Sequence, residues 1–341
     1  MPFLVAGATG RTSAGVVRYL RAAGEVVRVL VRDRDKAKNT FDDLHGIEIV
    51  DGAFDDEAVL ATAFEGADVA FLALGRSPDQ IRLEKAVIDG AVQAELPHLV
   101  KLSSIATSHD SALVVGRIHA EIQDHLVASG LSYTLLCPAS FANNLFYAAG
   151  SVSVENSWSG AAPTGRVAYI DIRDLSEAAA LVLRDPTLHG KTYDLSGPDA
   201  YTFPEIAQLL SRILGHAVTY VPVSPADRRS ELLGHGVSEW FAELLLSLET
   251  SAEAGQIGAV TTTLKELLGH EPHTVEEFLI ENVARFRSSS ASRHPDEDDS
   301  PPPRSRSRPD TARRSAQQLP VTAPAHRGPS PQATSPTTRL T

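Results

Sequence analysis

The chain has 341 residues, 43% of them apolar and 22% charged, with a formal net charge of −12. This is ample apolar material for a core and excludes a chain disordered throughout. From Arg287 onward the last 55 residues hold no Phe, Trp or Tyr, ten of the 21 prolines and a net charge of +4; this leaves −16 on residues 1–286, which argues against nucleic acid as the main ligand.

In chain order, β-branched runs at 3–6, 26–31, 47–50, 69–74, 99–103 and 133–137 alternate with amphipathic stretches at 14–23, 56–65, 81–94 and 116–128. Near-continuous apolar runs of this kind are strands buried on both faces. Their alternation with helices predicts βαβ units in a doubly wound parallel sheet, an α/β, Rossmann-like architecture. After Pro138 the rhythm breaks into a loop-rich stretch at 150–165, a strand at 166–170, a helix that we expect Asp174 to cap, a strand at 191–195, and mostly helices to Phe286. The expected organisation is a sheet domain at 1–150 and a smaller, mostly helical substrate-binding subdomain at 151–286, packed across the carboxyl ends of the strands with a cleft between them. Residues 287–341, rich in Pro, Ser and Arg, are expected to be a disordered tail, because they cannot bury enough apolar area to offset their chain entropy.

Cys137 is the single cysteine, so an internal disulfide and a thiolate zinc site are excluded and a cytoplasmic protein is expected. The apolar start, Met1 to Ala8, passes into glycines with no basic segment before it, and no run of about 18 apolar residues occurs, so neither a signal peptide nor a membrane span is expected.

The turn after the first strand reads Gly7-Ala8-Thr9-Gly10-Arg11-Thr12-Ser13-Ala14-Gly15. It opens a helix near Thr12 and aims that helix's free N–H groups and positive dipole end at a phosphate. Gly7 permits the turn, Gly10 lets the backbone approach a pyrophosphate, and Ser13 with Gly15 still allows close helix packing where a third glycine is absent. Following a strand and opening a series of βαβ units, this loop, with Thr9, Arg11 and Thr12, predicts dinucleotide binding and makes 1–150 an NAD(P)-binding domain.

The second strand ends Val29-Leu30-Val31-Arg32-Asp33. Where an acidic residue would hold a ribose 2′-hydroxyl, Arg32 accommodates a 2′-phosphate, so NADP(H) is the expected cofactor and NAD(H) the second choice. The other reading of Arg32, with Lys36 and Lys38 after it among Asp33 and Asp35, is a solvated basic helix start. Phe54 either covers the adenine edge or belongs to the core; Leu74 and Gly75 let the backbone pass the cofactor's middle, and Arg76 faces phosphate or solvent.

These residues, with Phe54-Asp55-Asp56, Leu102-Ser103-Ser104, His119 ahead of Ser129-Gly130-Leu131-Ser132-Tyr133, Phe141-Ala142-Asn143-Asn144-Leu145 and Asp171-Ile172-Arg173-Asp174-Leu175, resemble the NmrA-like branch of the atypical short-chain dehydrogenases/reductases over residues 2–286. That branch includes type 2 NAD(P)H:quinone oxidoreductases and NAD(P)H azoreductase-like proteins. The resemblance implies NAD(P)H-dependent reduction. The Tyr-x-x-x-Lys pair of ordinary members would fall at 115 and 119, where this chain has Val115 and His119, so tyrosinate-assisted proton transfer is absent. Ala53 stands where the branch often has an adenine-binding Asp, and Cys137 where it has Arg.

A reduced nicotinamide passes hydride to a good electrophile held against it, so position and a dry cleft are the main requirements. His119 either donates a proton, its ordinary pKa being near neutrality, or orients the nicotinamide ribose. Ser103 and Ser104 either bond cofactor or substrate oxygens or close their strand into a turn. Phe141, Asn143, Asn144, Phe146 and Tyr147 are candidate substrate walls, with Trp158, Trp240 and Phe241 as candidate lids; the leucines at 242–248 are at core spacing. His270 and His273 lack a ligand partner, and no metal is expected. The expected function is reduction of a quinone-like or other conjugated small-molecule electron acceptor, with no nucleic acid or membrane partner. The alternative is a catalytically silent NADP(H) sensor that binds a regulatory protein partner.

Overall fold

The computed structural model describes residues 1–287. Its first half alternates β1 (Phe3–Ala6), α1 (Arg11–Ala22), β2 (Val27–Val31), α2 (Arg34–Thr40), β3 (Ile47–Asp51), α3 (Glu57–Phe64) and β4 (Val69–Leu72). Then come α4 (Gln80–Gln93), β5 (His98–Leu102), α5 (Val114–Ser129) and β6 (Tyr133–Pro138). The second half runs β7 (Ser140–Phe141), α6 (Ala149–Glu155), β8 (Ser157–Gly160), β9 (Arg166–Ile170), α7 (Ile172–Arg184), β10 (Thr192–Leu195), β11 (Ala200–Thr202), α8 (Phe203–Leu214) and β12 (Thr219–Pro222). It closes with α9 (Pro225–Gly234), α10 (Glu239–Glu253), α11 (Thr263–Leu268), α12 (Val275–Glu281) and α13 (Val283–Arg287).

The main sheet has seven parallel strands in the order β10-β6-β5-β4-β1-β2-β3. Successive side chains of one strand enter opposite cores: Leu4 packs with Leu60, Val87, Ile88 and Ile122, whereas Val5 packs with Val16, Val17, Leu20, Leu175 and Val182. The order reverses between β1 and β4, so the cofactor crevice of a doubly wound sheet lies at their carboxyl ends. Gly7 is required there. It has φ +74°, and a Cβ on it would stand 2.3 Å from the Ala73 carbonyl oxygen. Gly15 performs the packing role expected of it, since a Cβ would meet Ser176 Oγ at 2.3 Å where α1 lies against α7.

Both sides of residue 150 build this layer. The strand at 192–195 pairs with β6 rather than with its sequence neighbours, and α7 covers α1. Around Trp158, Phe203 and Phe278 a second core holds two small sheets, β11-β9-β7 and β12-β8, whose two- to five-residue strands, apart from β9, fall below any periodicity signal. Asp174 is not the cap of α7. Asp171 accepts the Arg173 amide hydrogen bond at 2.8 Å, while Asp174, one turn on and buried, accepts from the backbone N–H and ring Nδ1 of His273 at 2.8 and 2.6 Å. His273 is thus tied to Asp174 by hydrogen bonds, and among the described residues it joins no group of side chains that could hold a metal. Arg287, assigned to the tail by composition, ends α13, and the expectation of disorder falls on residues 288–341, outside the described residues. Among the described residues no helix is long and apolar enough to cross a membrane.

Candidate active site

At the switch point an open cleft of about 1160 Å³, part of it solvent at the mouth, runs from the start of α1 to α10. Gly10, Arg11 and Thr12 line one end. Gly10 is the N-cap of α1, with no side-chain capping bond and no acidic residue in the first turn, so the helix presents its positive end uncompensated. Leu74, Gly75, Ser103 and Ser104 continue the lining at the carboxyl ends of β4 and β5.

Gly7, Thr9, Arg32 and Phe54 lie outside the lining. Gly7 makes the turn behind it. Arg32 is exposed at the end of β2, its guanidinium 5.8 Å from the centre of the Phe54 ring, and pairs with no carboxylate among the described residues. Its neighbour Arg34 is spent on Asp51 and the Ile49 carbonyl. Phe54 is 6% exposed and packs with Leu60, so its ring supports Arg32 rather than offering adenine an open face.

His119 lines the cleft on α5, and its setting differs from the one expected. Its Nδ1 is 3.0 Å from the Nζ of Lys101, a lysine fully buried in β5. The same Nζ is 3.0 Å from a carboxylate oxygen of Glu84, also fully buried, and donates to the Leu102 carbonyl at 2.9 Å. The other Glu84 oxygen accepts from Gln80 Nε2 at 2.9 Å. Burial, and then the positive Lys101 beside it, push the His119 pKa well below the ordinary histidine value. That direction works against an acid role that relies on a pKa near neutrality.

The far wall is apolar. Phe141, Leu113 and Val115 line it with Leu244, Leu245 and Leu248 of α10, so the leucines read as ordinary core form a wall of the cleft. Asn144 and Tyr147 add polar atoms, Asn144 donating to Ser140 Oγ at 3.0 Å and Tyr147 OH lying 3.4 Å from Arg76. Trp240 is outside the lining, half-buried beside Phe241. Trp158 and Phe146 are core, packed on Phe203 and Phe278, and Asn143 does not reach the cleft. Cys137 is buried, its thiol pushed up to about 11 by desolvation, and serves as a small hydrophobe.

Residues 2–279 match the model of the NmrA-like family. The chain belongs to that family. It is 29% identical over 283 residues to an NAD(P)H azoreductase of Xenophilus azovorans, covering 83% of this chain and 98% of the relative. It is 32% identical over 294 residues to a (4-alkanoyl-5-oxo-2,5-dihydrofuran-3-yl)methyl phosphate reductase of Streptomyces griseus, with 83% and 98% covered. Among solved structures it is similar to an NADPH complex of a quinone oxidoreductase of Escherichia coli, with a TM-score of 0.78, 26% identity, and 82% and 99% of the two chains covered.

Val115 and His119, at the positions where the resemblance puts the Tyr-x-x-x-Lys pair, both line the cleft, Val115 with an alkyl side chain. Lys101 and Glu84 went unnoticed in the sequence. The signal was a lysine inside a strand whose neighbours Leu99, Val100 and Leu102 mark it as buried on both faces. A dinucleotide fits the residues present. The uncapped α1 terminus suits a pyrophosphate, and Gln80 Oε1 is a buried acceptor on the lining with no partner among the described residues, placed for an N–H or O–H of a bound group.

Proposed function

We propose that this chain reduces a flat, conjugated small molecule of the quinone type with NADPH. It is an NAD(P)H-dependent oxidoreductase. The observation that carries the finer reading is the pairing, in one cleft, of an uncapped helix start with an apolar far wall that holds no charged acid.

When bound, the dinucleotide supplies the hydride. The chain's own residues do the rest. Gly10, Arg11 and Thr12 hold the pyrophosphate, and Arg32, free of carboxylate partners among the described residues and braced by Phe54, takes the 2′-phosphate. Phe141, Leu244, Leu245 and Leu248 exclude water and lay a planar acceptor flat, while Asn144 and His119 offer hydrogen bonds to its oxygens. Acceptors that are electron-poor in themselves, such as quinones and azo compounds, need no protonated side chain to receive hydride, which matches a neutral His119. The single, buried Cys137 suits a reducing compartment, and we place the protein in the cytosol.

The test is NADPH oxidation followed by absorbance with and without a panel of quinones, beside thermal-shift titrations with NADPH and NADH. Acceptor-dependent oxidation and a larger shift with NADPH are expected. Tight NADPH binding with no oxidation by any acceptor would instead support the regulator.

A further inference from the structure

We infer that the buried Glu84–Lys101 pair is a positioning device that locks His119 as a neutral Nε2–H donor, aimed at the oxygen of the electron acceptor. The inference rests on the reductase reading and deepens it.

Lys101 is an ammonium with three protons and no lone pair. It donates to the Leu102 carbonyl, lies 3.0 Å from His119 Nδ1, and forms with Glu84 Oε2 an ion pair at 3.0 Å in which that oxygen takes no hydrogen bond. Nδ1 must therefore accept, which leaves the imidazole's one proton on Nε2. Nε2 has no partner among the described residues, and His119 lines the cleft. Such a pair is not expected from packing alone, because an ion pair buried in a central strand is costly and a hydrophobic pair of similar volume would fill the space. Gln80 donates to the second Glu84 oxygen and so fixes the carboxylate that fixes the lysine.

When hydride reaches a conjugated acceptor, negative charge develops on its carbonyl oxygen. A donor already oriented toward that oxygen stabilises the charge without reorganising. His119 keeps its proton throughout and acts by polarisation, the role of neutral imidazole at other carbonyl sites. Lys101 and Glu84 touch neither cofactor nor acceptor in this scheme. The ionisable groups around the ring are Lys101 on β5, Glu84 on α4 behind it, Cys137 on β6 within reach of the Lys101 charge, and Arg11, Arg76 and Tyr147 elsewhere on the lining.

Two measurements on the full chain test this. In the first, ¹⁵N-histidine-labelled protein is followed by NMR from pH 5.5 to 8, on the order of the ordinary histidine titration range, with His119 assigned from the His119→Gln spectrum. The expected result is an unprotonated Nδ1 and a protonated Nε2 across the whole range. In Lys101→Met/Glu84→Gln, which removes both buried charges and so spares the fold, the ring should exchange tautomers or titrate. The second is steady-state reduction of a quinone. His119→Phe should lower kcat about 100-fold with NADPH affinity unchanged, and His119→Gln, which keeps an amide donor, should recover most of it. A proton on Nδ1, a titration near the ordinary histidine pKa, or full activity in His119→Phe would overturn the proposal. If the wild type reduces no acceptor, the reductase reading fails and takes the donor's target with it, while the NMR still decides the tautomer.

Discussion

Replacing Arg32 with Ala separates recognition of the 2′-phosphate from everything else the loop does. The side chain is exposed, touches the Phe54 ring and has no carboxylate partner among the described residues, so its removal costs the fold little. An exposed cation–π contact contributes about 0.5–1 kcal/mol, and a loss of that size lowers Tm by only about 2–4 °C in a domain near this size. The contact to a bound phosphate is larger. Hydrogen bonds to charged groups contribute about 1.5–3 kcal/mol; solvent screening at this open corner favours the lower half, roughly 2 kcal/mol, or about 30-fold in Kd. Fluorescence titration at low ionic strength should show that loss for NADPH and a change of less than about twofold for NADH. Raising the salt should narrow the wild-type preference and leave the variant flat. Equal weakening of both cofactors would refute the assignment, because it would mean that Arg32 acts through the loop's structure and not through the phosphate.

Gly15→Ala should lower stability by about 1–3 kcal/mol by forcing α1 off α7, and adding Ser176→Gly should recover part of the loss in chemical denaturation; no recovery would place the strain elsewhere. His98, buried and stacked on His189 at 3.8 Å, has its pKa pushed down to about 4 by desolvation and then by the neighbouring ring. Between the ordinary value of about 6.5 and that lower one, the unfolded chain takes up a proton that the folded chain refuses, so stability falls as pH drops through this window. Urea curves at pH 7 and about 4.5 should show the wild type losing roughly 1–2 kcal/mol more than His98→Asn, and parallel losses would rule this out. Arg228 and Glu249 form a buried pair at 3.2 Å between α9 and α10. Arg228→Met leaves Glu249 with only the Ala161 N–H among the described residues and should cost about 3 kcal/mol while raising the acceptor KM, since α10 carries the leucines of the cleft; an unchanged KM would detach the pair from the cleft.

The parallel sheet was legible because its strands are buried on both faces and its helices on one. The phosphate end was legible because a glycine turn between strand and helix has few other uses. Burial patterns do not say what a face is buried against, and so Leu244, Leu245 and Leu248 read as core although they border the cleft. Capping rules could not separate Asp171 from Asp174, since both precede the same apolar face and only the return of the chain at His273 distinguishes them. Lys101 was visible as an anomaly in an apolar strand, but Glu84 lies 17 positions earlier on a helix of ordinary composition, and their meeting is a matter of topology. The same limit hid the place of β10, whose four residues were read as a strand with no means of knowing which sheet would take them.

That late strand has a consequence for how the protein is made. β10 closes the β6 edge and α7 covers Val16, Val17 and Leu20 of α1, yet both are synthesised after residue 170. Until then the nascent chain carries an open parallel edge and a bare helix face, a condition that invites association with other chains. A fragment ending at residue 150 would keep the glycine loop and six of the main sheet's seven strands and still lack a closed core. The layer behind the glycine loop is thus completed only once α7 and β10 have emerged, past the midpoint of the chain.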